Sequence, residues 1–485
     1  MSATPTSTPT PMPSPASGPA AGPPAAPRPA TPYRRVWRWH FFAGLFVAPL
    51  LLVLALTGAV YLFDAEIDDW WQQPHNRVVP LAQALPLGEQ EAAVRAAYPG
   101  ARLLRYGHPF AADRAAQWSL KAADGQALDV FVDPYRAQVQ GAVASAWRPM
   151  AIVSALHGEL MLGTVGDWLV EAAASWSLVL VATGLYLWWP RQWRLAGVWW
   201  PRWQAGGRRY WRDLHAVPGA INALALVFLV LSGLPWAGFW GGQLAALGTL
   251  SAATTASPNF SAPPGRDTPS VVPGTAPSSA PRTAAHVHDP NDVALPWAIR
   301  HAPVPAGSGG GGFTLQQVLA LALDRGVPAA QPRLRLSYPQ GEQGVYMVSF
   351  VPDRAQEQRT LYLDPRDGRV IDDIGWDRYS PLARAVEWSV MVHLGRQFGL
   401  ANQLLGLLVC LLLAGAVVAG IVLWWRRRPA GSLGTPQAPA RERLPTGLKV
   451  LLVVLGLVFP MVALSFCLAW GLERAWSAWA GGRPA

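Results

Sequence analysis

Five long apolar stretches constrain this chain more than any other feature. They run roughly from His40 to Phe63, Trp168 to Trp189, Ala216 to Trp240, Gln403 to Trp425 and Val450 to Trp470. Each is about 20 residues, the length of helix that crosses a ~30 Å hydrocarbon layer. Composition agrees: 51% of residues are hydrophobic and only 14% charged, where a soluble domain carries about 25% charged residues. The 25 Trp suit a chain with many membrane–water boundaries.

The flanking charges set an expected orientation. Residues 1–32 are rich in Pro, Ala, Ser and Thr and carry one Arg, a composition that buries no core and reads as a disordered tail. No apolar segment stands at the very start, so the first span is expected to be a retained anchor and not a cleaved signal. Arg28, Arg34, Arg35 and Arg38 precede that span without an acid. The stretch from Arg191 to Arg212 holds six Arg and no acid, and Arg426, Arg427, Arg428, Arg441, Arg443 and Lys449 face one Glu442 after the fourth span. Short basic loops stay cytoplasmic. The longer connections, Asp64 to Leu156 and Gly241 to Phe398, then lie in a bacterial periplasm. The net charge of +10 is therefore a topology signal, and nucleic acid is not an expected partner. Cys410 and Cys467 both fall in apolar stretches, so no disulfide framework, zinc site or covalent haem motif is available.

An internal repeat organises the rest. The first span begins WRWHFFAGLF and the third WRDLHAVPGA, and the spacing from His40 to Gly58 equals that from His215 to Gly233. The second region runs from LHGELMLG to GLYLWWPR and the fourth from VHLGRQFG to GIVLWWRR. The spacing from His157 to Trp189 equals that from His393 to Trp425, and Gly184 stands as far beyond His157 as Gly420 beyond His393. The extramembrane segments repeat too. Each opens with a helix-like run (GEQEAAVRAAYP, FTLQQVLALALDRG), continues with alternating strands, and ends in an Asp-Pro turn, DPYRAQVQG or DPRDGRVID. The expected organisation is a tail (1–32), a first span (37–63), a periplasmic domain (64–156) and a lead-in with second span (157–189). An Arg-rich loop (190–213), a third span (214–240), a linker (241–312) and a second periplasmic domain (313–374) follow. The chain ends with a lead-in and fourth span (386–425), a cytoplasmic loop (426–449) and a fifth span (450–470) outside the repeat. The fold class is a membrane α-helical bundle of five spans bearing two small α+β domains, duplicated about an axis along the membrane normal.

Four of the nine His occupy the repeat positions: His40 with His215, and His157 with His393. Histidine in a membrane segment is costly and by default functional. The topology puts the first pair near the cytoplasmic face and the second near the periplasmic face. Two facing imidazoles are what a six-coordinate b-type haem requires, so the four residues are candidate axial ligands of two haems. From His157 to Trp189 a continuous helix would measure ~48 Å, too long for a bilayer. Gly163, Gly166, Gly395 and Gly399 are the expected breaks. Arg148 and Arg396 are candidate haem-propionate partners. Glu171, inside the second span, is a candidate hydrogen-bonding partner of a ligand or propionate. His286 and His288 fall in the linker, and His75, His108 and His301 have no repeat partner.

On these motifs (WRWHFFAGLFVAPLLLVLALTG, the LH at His157, RDLH at His215, VHLG at His393, the paired GxxLWWxR endings and the FVDP and YLDP turns) the chain resembles the PepSY-associated transmembrane family from about Tyr33 to Arg428. The resemblance implies PepSY-like periplasmic domains. It further implies a di-haem inner-membrane reductase of the ferric-siderophore kind typified by FoxB, which releases iron as Fe(II). No flavin or nicotinamide fingerprint is present, so the electron donor is expected to be another protein, a reduced flavin or a membrane quinol. A periplasmic binding scaffold would need the repeat but not the four histidines. A siderophore or metal permease would call for paired intramembrane carboxylates, of which Glu171 alone is seen.

Overall fold

The computed structural model describes residues 32–254, 295–300, 302, 304–329, 333–429, 431, 434 and 446–481. The tail before Pro32, His286, His288 and His301 lie outside the described residues. The chain opens with α1 (Pro32–Tyr61), which runs almost directly into α2 (Asp64–Asn76) and then α3 (Leu87–Ala97). Four strands follow: β1 (Arg102–Gly107), β2 (Ala116–Lys121), β3 (Ala127–Asp133) and β4 (Gln138–Ala144). The chain re-enters the helical layer through α4 (Pro149–Glu159) and α5 (Thr164–Trp188). It continues with α6 (Gly207–Ile221), α7 (Ala223–Gly233), α8 (Gly238–Thr254) and the short α9 (Trp297–Arg300). The second extramembrane segment comprises α10 (Leu315–Asp324), β5 (Leu334–Ser337), β6 (Tyr346–Phe350), β7 (Arg359–Leu363) and β8 (Val370–Gly375). Last come α11 (Pro381–His393), α12 (Leu400–Arg427), α13 (Thr446–Val458) and α14 (Pro460–Gly481).

Three helices, α1, α5 and α12, are long and apolar enough to cross a membrane singly. The consecutive α6 and α7 qualify as one span bent by 56°. The bend falls at Asn222. Pro218, one turn earlier, removes a backbone donor from the helix, and the Asn222 side chain donates to Val409 O across the interface at 3.0 Å. The third stretch is therefore not the straight helix its hydropathy suggests. The fifth stretch is divided as well: α13 stops at Val458 and α14 restarts at Pro460, whose ring cannot continue the hydrogen-bond ladder. A Cβ on Gly456 would lie 3.5 Å from Cβ of Ala463, so the two helices fold against one another and do not continue in line. Trp176 Nε1 of α5 donates to Ser465 Oγ at 2.8 Å and ties this pair to the bundle.

The two extramembrane segments, expected as separate domains, form one antiparallel sheet of eight strands in the order β4-β3-β2-β1-β5-β6-β7-β8. The seam is β1 against β5, pairing Arg105 with Ser337, Tyr106 with Leu336 and Gly107 with Arg335. Each four-stranded unit alone would leave an unpaired edge, and joining the two edges removes that liability. Alternation then sorts the faces. Trp118, Leu120, Val130 and Val132 from one unit and Leu334, Leu336, Val348 and Leu361 from the other form a single apolar core under α3 and α10. Those helices meet at the seam, where Gln316 accepts from Leu87 N–H at 2.8 Å and Tyr338 donates to Glu91 at 2.9 Å. A capping box between Thr314 and Gln317 starts α10. The opposite face of the sheet turns towards the membrane helices and carries polar side chains, among them Ser119, Asp129, Ser349 and Thr360.

Trp118 is fully buried against Tyr106 in this shared core. Trp118→Ala should cost about 3–5 kcal/mol. In denaturant-dependent proteolysis of the solubilised protein, β1–β4 and β5–β8 should lose protection together. Cleavage confined to the first unit would show that the core is not shared.

Candidate functional site

The four repeat histidines have closely related surroundings. His40 on α1 meets α5, where its Nδ1 lies 2.9 Å from Thr183 Oγ1. His157 on α4 meets α1, with Nδ1 2.9 Å from Thr57 Oγ1. His393 on α11 meets α7, with Nδ1 2.8 Å from Ser232 Oγ. His215 on α6 meets α12, with Nδ1 2.8 Å from the carbonyl oxygen of Ala416. A glycine follows each hydroxyl residue, and the imidazole lies against it. A Cβ at Gly184 would stand 3.2 Å from His40 Cε1, at Gly58 3.3 Å from His157, at Gly233 3.5 Å from His393, and at Gly420 2.9 Å from His215 Nδ1. Glycine at these places lets the ring lie close against the neighbouring helix, most tightly at Gly420, where a Cβ would force the imidazole to shift.

These contacts assign the tautomer. Thr57 donates its hydroxyl proton to Val53 O at 2.7 Å, Thr183 to Val179 O at 2.6 Å and Ser232 to Phe228 O at 2.7 Å. With that proton spent, each hydroxyl accepts from the imidazole. At His215 the partner is a carbonyl, which can only accept. All four rings therefore carry hydrogen on Nδ1 and leave the Nε2 lone pair free, the state of a metal-ligating histidine held by its other nitrogen.

The pairs are sorted by depth. His40 and His215 have ring centroids 6.0 Å apart and planes inclined at 70°. A metal held at about 2 Å by one nitrogen of each ring sets the ring centres roughly 6 Å apart. His157 and His393 line one cavity together with Gly58, Cys410, Glu171 and Arg396. His40 and Thr57, the partner of His157, both lie on α1 and are about 25 Å apart along that helix. Pairing within one half would have to bridge that distance, whereas pairing across the halves is already in place. Among the described residues, no cluster of three or more His, Cys, Asp or Glu could hold a metal ion alone.

The lead-in helices aim the cavity pair. Ser380 caps α11 by accepting from Ala383 N–H at 3.1 Å, with Pro381 at its first position. α4 ends at Glu159 and α5 restarts after Gly163, at φ 58°, while α11 ends at His393 and α12 restarts after Gly399, at φ 61°. Gly166 lies in the first turn of α5, where a Cβ would strike Glu159 O.

The remaining sequence candidates divide. Arg396 lines the cavity; it bonds Asp64 at 2.5 Å, and its Nε is buried without a partner. Arg148 does not line the cavity and is committed to Asp68 and Asp129. Glu171 faces the cavity. One oxygen accepts from Phe239 N–H at 3.1 Å and the other is buried without a partner. Asp167 accepts from Gly238 N–H at 3.1 Å, so these two carboxylates hold the start of α8. His108 bonds Tyr106 Oη at 3.1 Å and His75 stacks on Phe131, both away from the pairs. Sequence reasoning missed Thr57, Thr183 and Ser232, although the dipeptides Thr57-Gly58, Thr183-Gly184 and Ser232-Gly233 carry the signal. It also missed Glu387, which lines the cavity and accepts from Ala298 N–H at 3.0 Å.

This arrangement, a helical membrane layer beneath one antiparallel sheet, defines a class of membrane protein with extramembrane PepSY modules. The PepSY-associated TM region family matches residues 37–427, and the chain belongs to it. No curated protein matches the chain.

Burial pushes the Glu387 carboxyl from 4.5 up to about 7, against the opposing pull of Ala298 N–H and Gln358. The folded protein therefore holds this proton more tightly than the unfolded chain does. Stability should fall as pH rises from 4.5 to about 7, by at most ~1.4 kcal/mol per pH unit, and then level off. Glu387→Gln should gain on wild type across that window in melting temperature. A difference between the two that does not vary with pH would refute the assignment.

Proposed function

We propose that this protein is an inner-membrane di-haem b oxidoreductase. It passes electrons from the cytoplasmic side to a periplasmic acceptor, a ferric siderophore or related ferric chelate of the kind reduced by FoxB-type members, and releases Fe(II). The carrying observation is the His40–His215 pair: two imidazoles 6.0 Å apart, each with Nδ1 occupied. The donor set fits b-type haem, because two neutral imidazole nitrogens suit its two axial positions. His40 and His215 would hold one haem, and His157 and His393 the second.

Haem, when bound, supplies one-electron chemistry at iron. The residues supply the rest. Thr57, Thr183, Ser232 and the Ala416 carbonyl orient the rings and fix their tautomer. Gly58, Gly184, Gly233 and Gly420 let the rings seat between the helices. Arg396, which lines the cavity of His157 and His393, is the better placed candidate for a propionate, since Arg148 lies outside that cavity and serves two carboxylates. The Arg-rich segments support a cytoplasmic N-terminus and a periplasmic sheet. Internal duplication is supported by a strand order that reads the same from either end of the sheet and by four matching histidine environments. The electron donor is another protein, a reduced flavin or a membrane quinol.

Dithionite-difference spectra of the purified protein should report about two b-type haems per chain. His40→Ala and His215→Ala should each remove the same haem, and His157→Ala and His393→Ala the other. Thr183→Val should weaken haem retention at the first site roughly 10–100-fold and spare the second. If His40→Ala and His157→Ala removed one haem while His215→Ala left it intact, the pairing would be wrong. A colourless protein from haem-replete cells would favour a binding scaffold. Orientation is checked separately by reporter fusions at Gly125, Gly206 and Gly341, with periplasmic activity expected at the first and third only.

A further inference from the structure

An open pocket of about 540 Å³ stands at the Arg-rich end of the bundle, beyond the His40–His215 pair. Its walls include Tyr33, Arg34 and Trp37 from α1, Arg208 from the start of α6, and Arg427 and Pro429 from the end of α12. Helical period puts these residues in line with the pair. Arg208 precedes His215 by seven residues on α6. Arg427 follows Gly420, the glycine against which His215 lies, by seven residues on α12. Seven residues make close to two turns, so each arginine shares a helix face with its counterpart at a rise of about 10 Å. Trp37 and His40, three residues apart on α1, share a face in the same way.

Three guanidiniums line this pocket and, among the described residues, no carboxylate does. α1 and α12 contain no acid at all, and the one acid of α6, Asp213, is taken by Arg202 and Arg212. Arg427 is half-buried and lies over the Trp37 and Phe41 rings, 4.3 Å and 5.5 Å from their centroids. Aromatic faces hold a cation in place without spending its N–H donors. Arg34 and Arg208 are exposed. α6 starts at Gly207 with no side-chain cap, so the unpaired N–H groups of its first turn add positive potential at the same level. A topology signal requires only that the loops be basic. It does not require three arginines from three helices to meet in one pocket in register with the histidines.

We infer that Arg34, Arg208 and Arg427 form a carboxylate-binding pocket that takes the propionates of the inner haem. This rests on the di-haem reading above, which gives the outer pair Arg396 and leaves the inner pair without a propionate partner. Haem is apolar over most of its periphery and carries its two carboxylates on one edge. Carboxylates leaving an apolar layer need a cationic partner, and guanidinium forks match them bidentately. The three arginines are binding residues for the cofactor, acting on its charge and its retention.

The test uses the full-length haem-loaded protein in nanodiscs of phosphatidylcholine, with and without phosphatidylglycerol. Haem loss to excess apomyoglobin is followed spectrally beside a redox titration, and the band missing in His40→Ala marks the inner haem. Arg208→Gln removes charge from an exposed side chain and leaves helix packing alone. Arg427→Gln also removes the contact with Trp37, and Arg427→Lys restores the charge. In both Gln variants the inner haem should leave roughly tenfold faster than in wild type. Its midpoint potential should fall, because a cation that offsets the propionate charge is gone, while the outer haem stays unchanged. Arg427→Lys should recover part of both effects. A wild-type loss rate and potential in both Gln variants would overturn the inference and leave the haem reading intact. Effects seen only with phosphatidylglycerol present would overturn it too, by assigning the pocket to a lipid phosphate. A protein that carries no haem at His40 and His215 would sink the reading and the inference together.

Discussion

Three cross-strand pairs between β1 and β5 hold the two ends of the chain in one arrangement. Without them the extramembrane region would be two four-stranded units with raw edges, each covered by one short helix and too small for a deep core. With them, Trp118 and Leu336 belong to one interior. The seam also fixes the spacing of α2, α4 and α11, which hang from the sheet and lead into the bundle. The positions of His157 and His393 follow from it, because α4 and α11 approach the membrane layer from opposite units of one sheet.

Inside the helical layer, little beyond shape and a few hydrogen bonds is available to specify contacts, since lipid tails are as apolar as leucine. The chain solves this with small residues and hydroxyls. α1 meets α4 and α5, and α7 and α12 meet α11 and α6, at Gly58, Gly184, Gly233 and Gly420, each occupied by an imidazole from the neighbour. The same contact that specifies helix packing also spends Nδ1 and leaves Nε2 free. Packing and ligand readiness are one interaction, which makes the helical register and the state of the histidines inseparable.

Much of this was legible in the chain itself. Span length follows from hydropathy, and α1, α5 and α12 answer to it directly. The histidines were legible because equal spacings from histidine to glycine recur in both halves of the chain, and His40 and His215 do stand together. The breaks were partly legible: Gly163 and Gly399 follow from a helix too long for a bilayer, whereas the kink at Asn222 and the fold at Pro460 depend on what packs against them. The seam was not legible. Edge strands of similar composition can pair with many partners, and nothing local in RLLRYG or LRLS names the other. The meeting of Arg335 with Arg105 and Arg148 stayed hidden for the same reason, because it exists only once the seam does.

One of the four histidine sites departs from the others. Ala419 stands where Thr57, Thr183 and Ser232 supply a hydroxyl, and His215 donates straight to the Ala416 carbonyl. The Ala416 carbonyl lies inside α12, so His215 is held by the helix backbone where the other three rings are held by a side chain. The orientation of the His215 ring is tied to the main chain of α12 and not to a rotatable hydroxyl. A single side-chain substitution can therefore release any of the other three rings, whereas His215 comes free only when the helix that holds it moves.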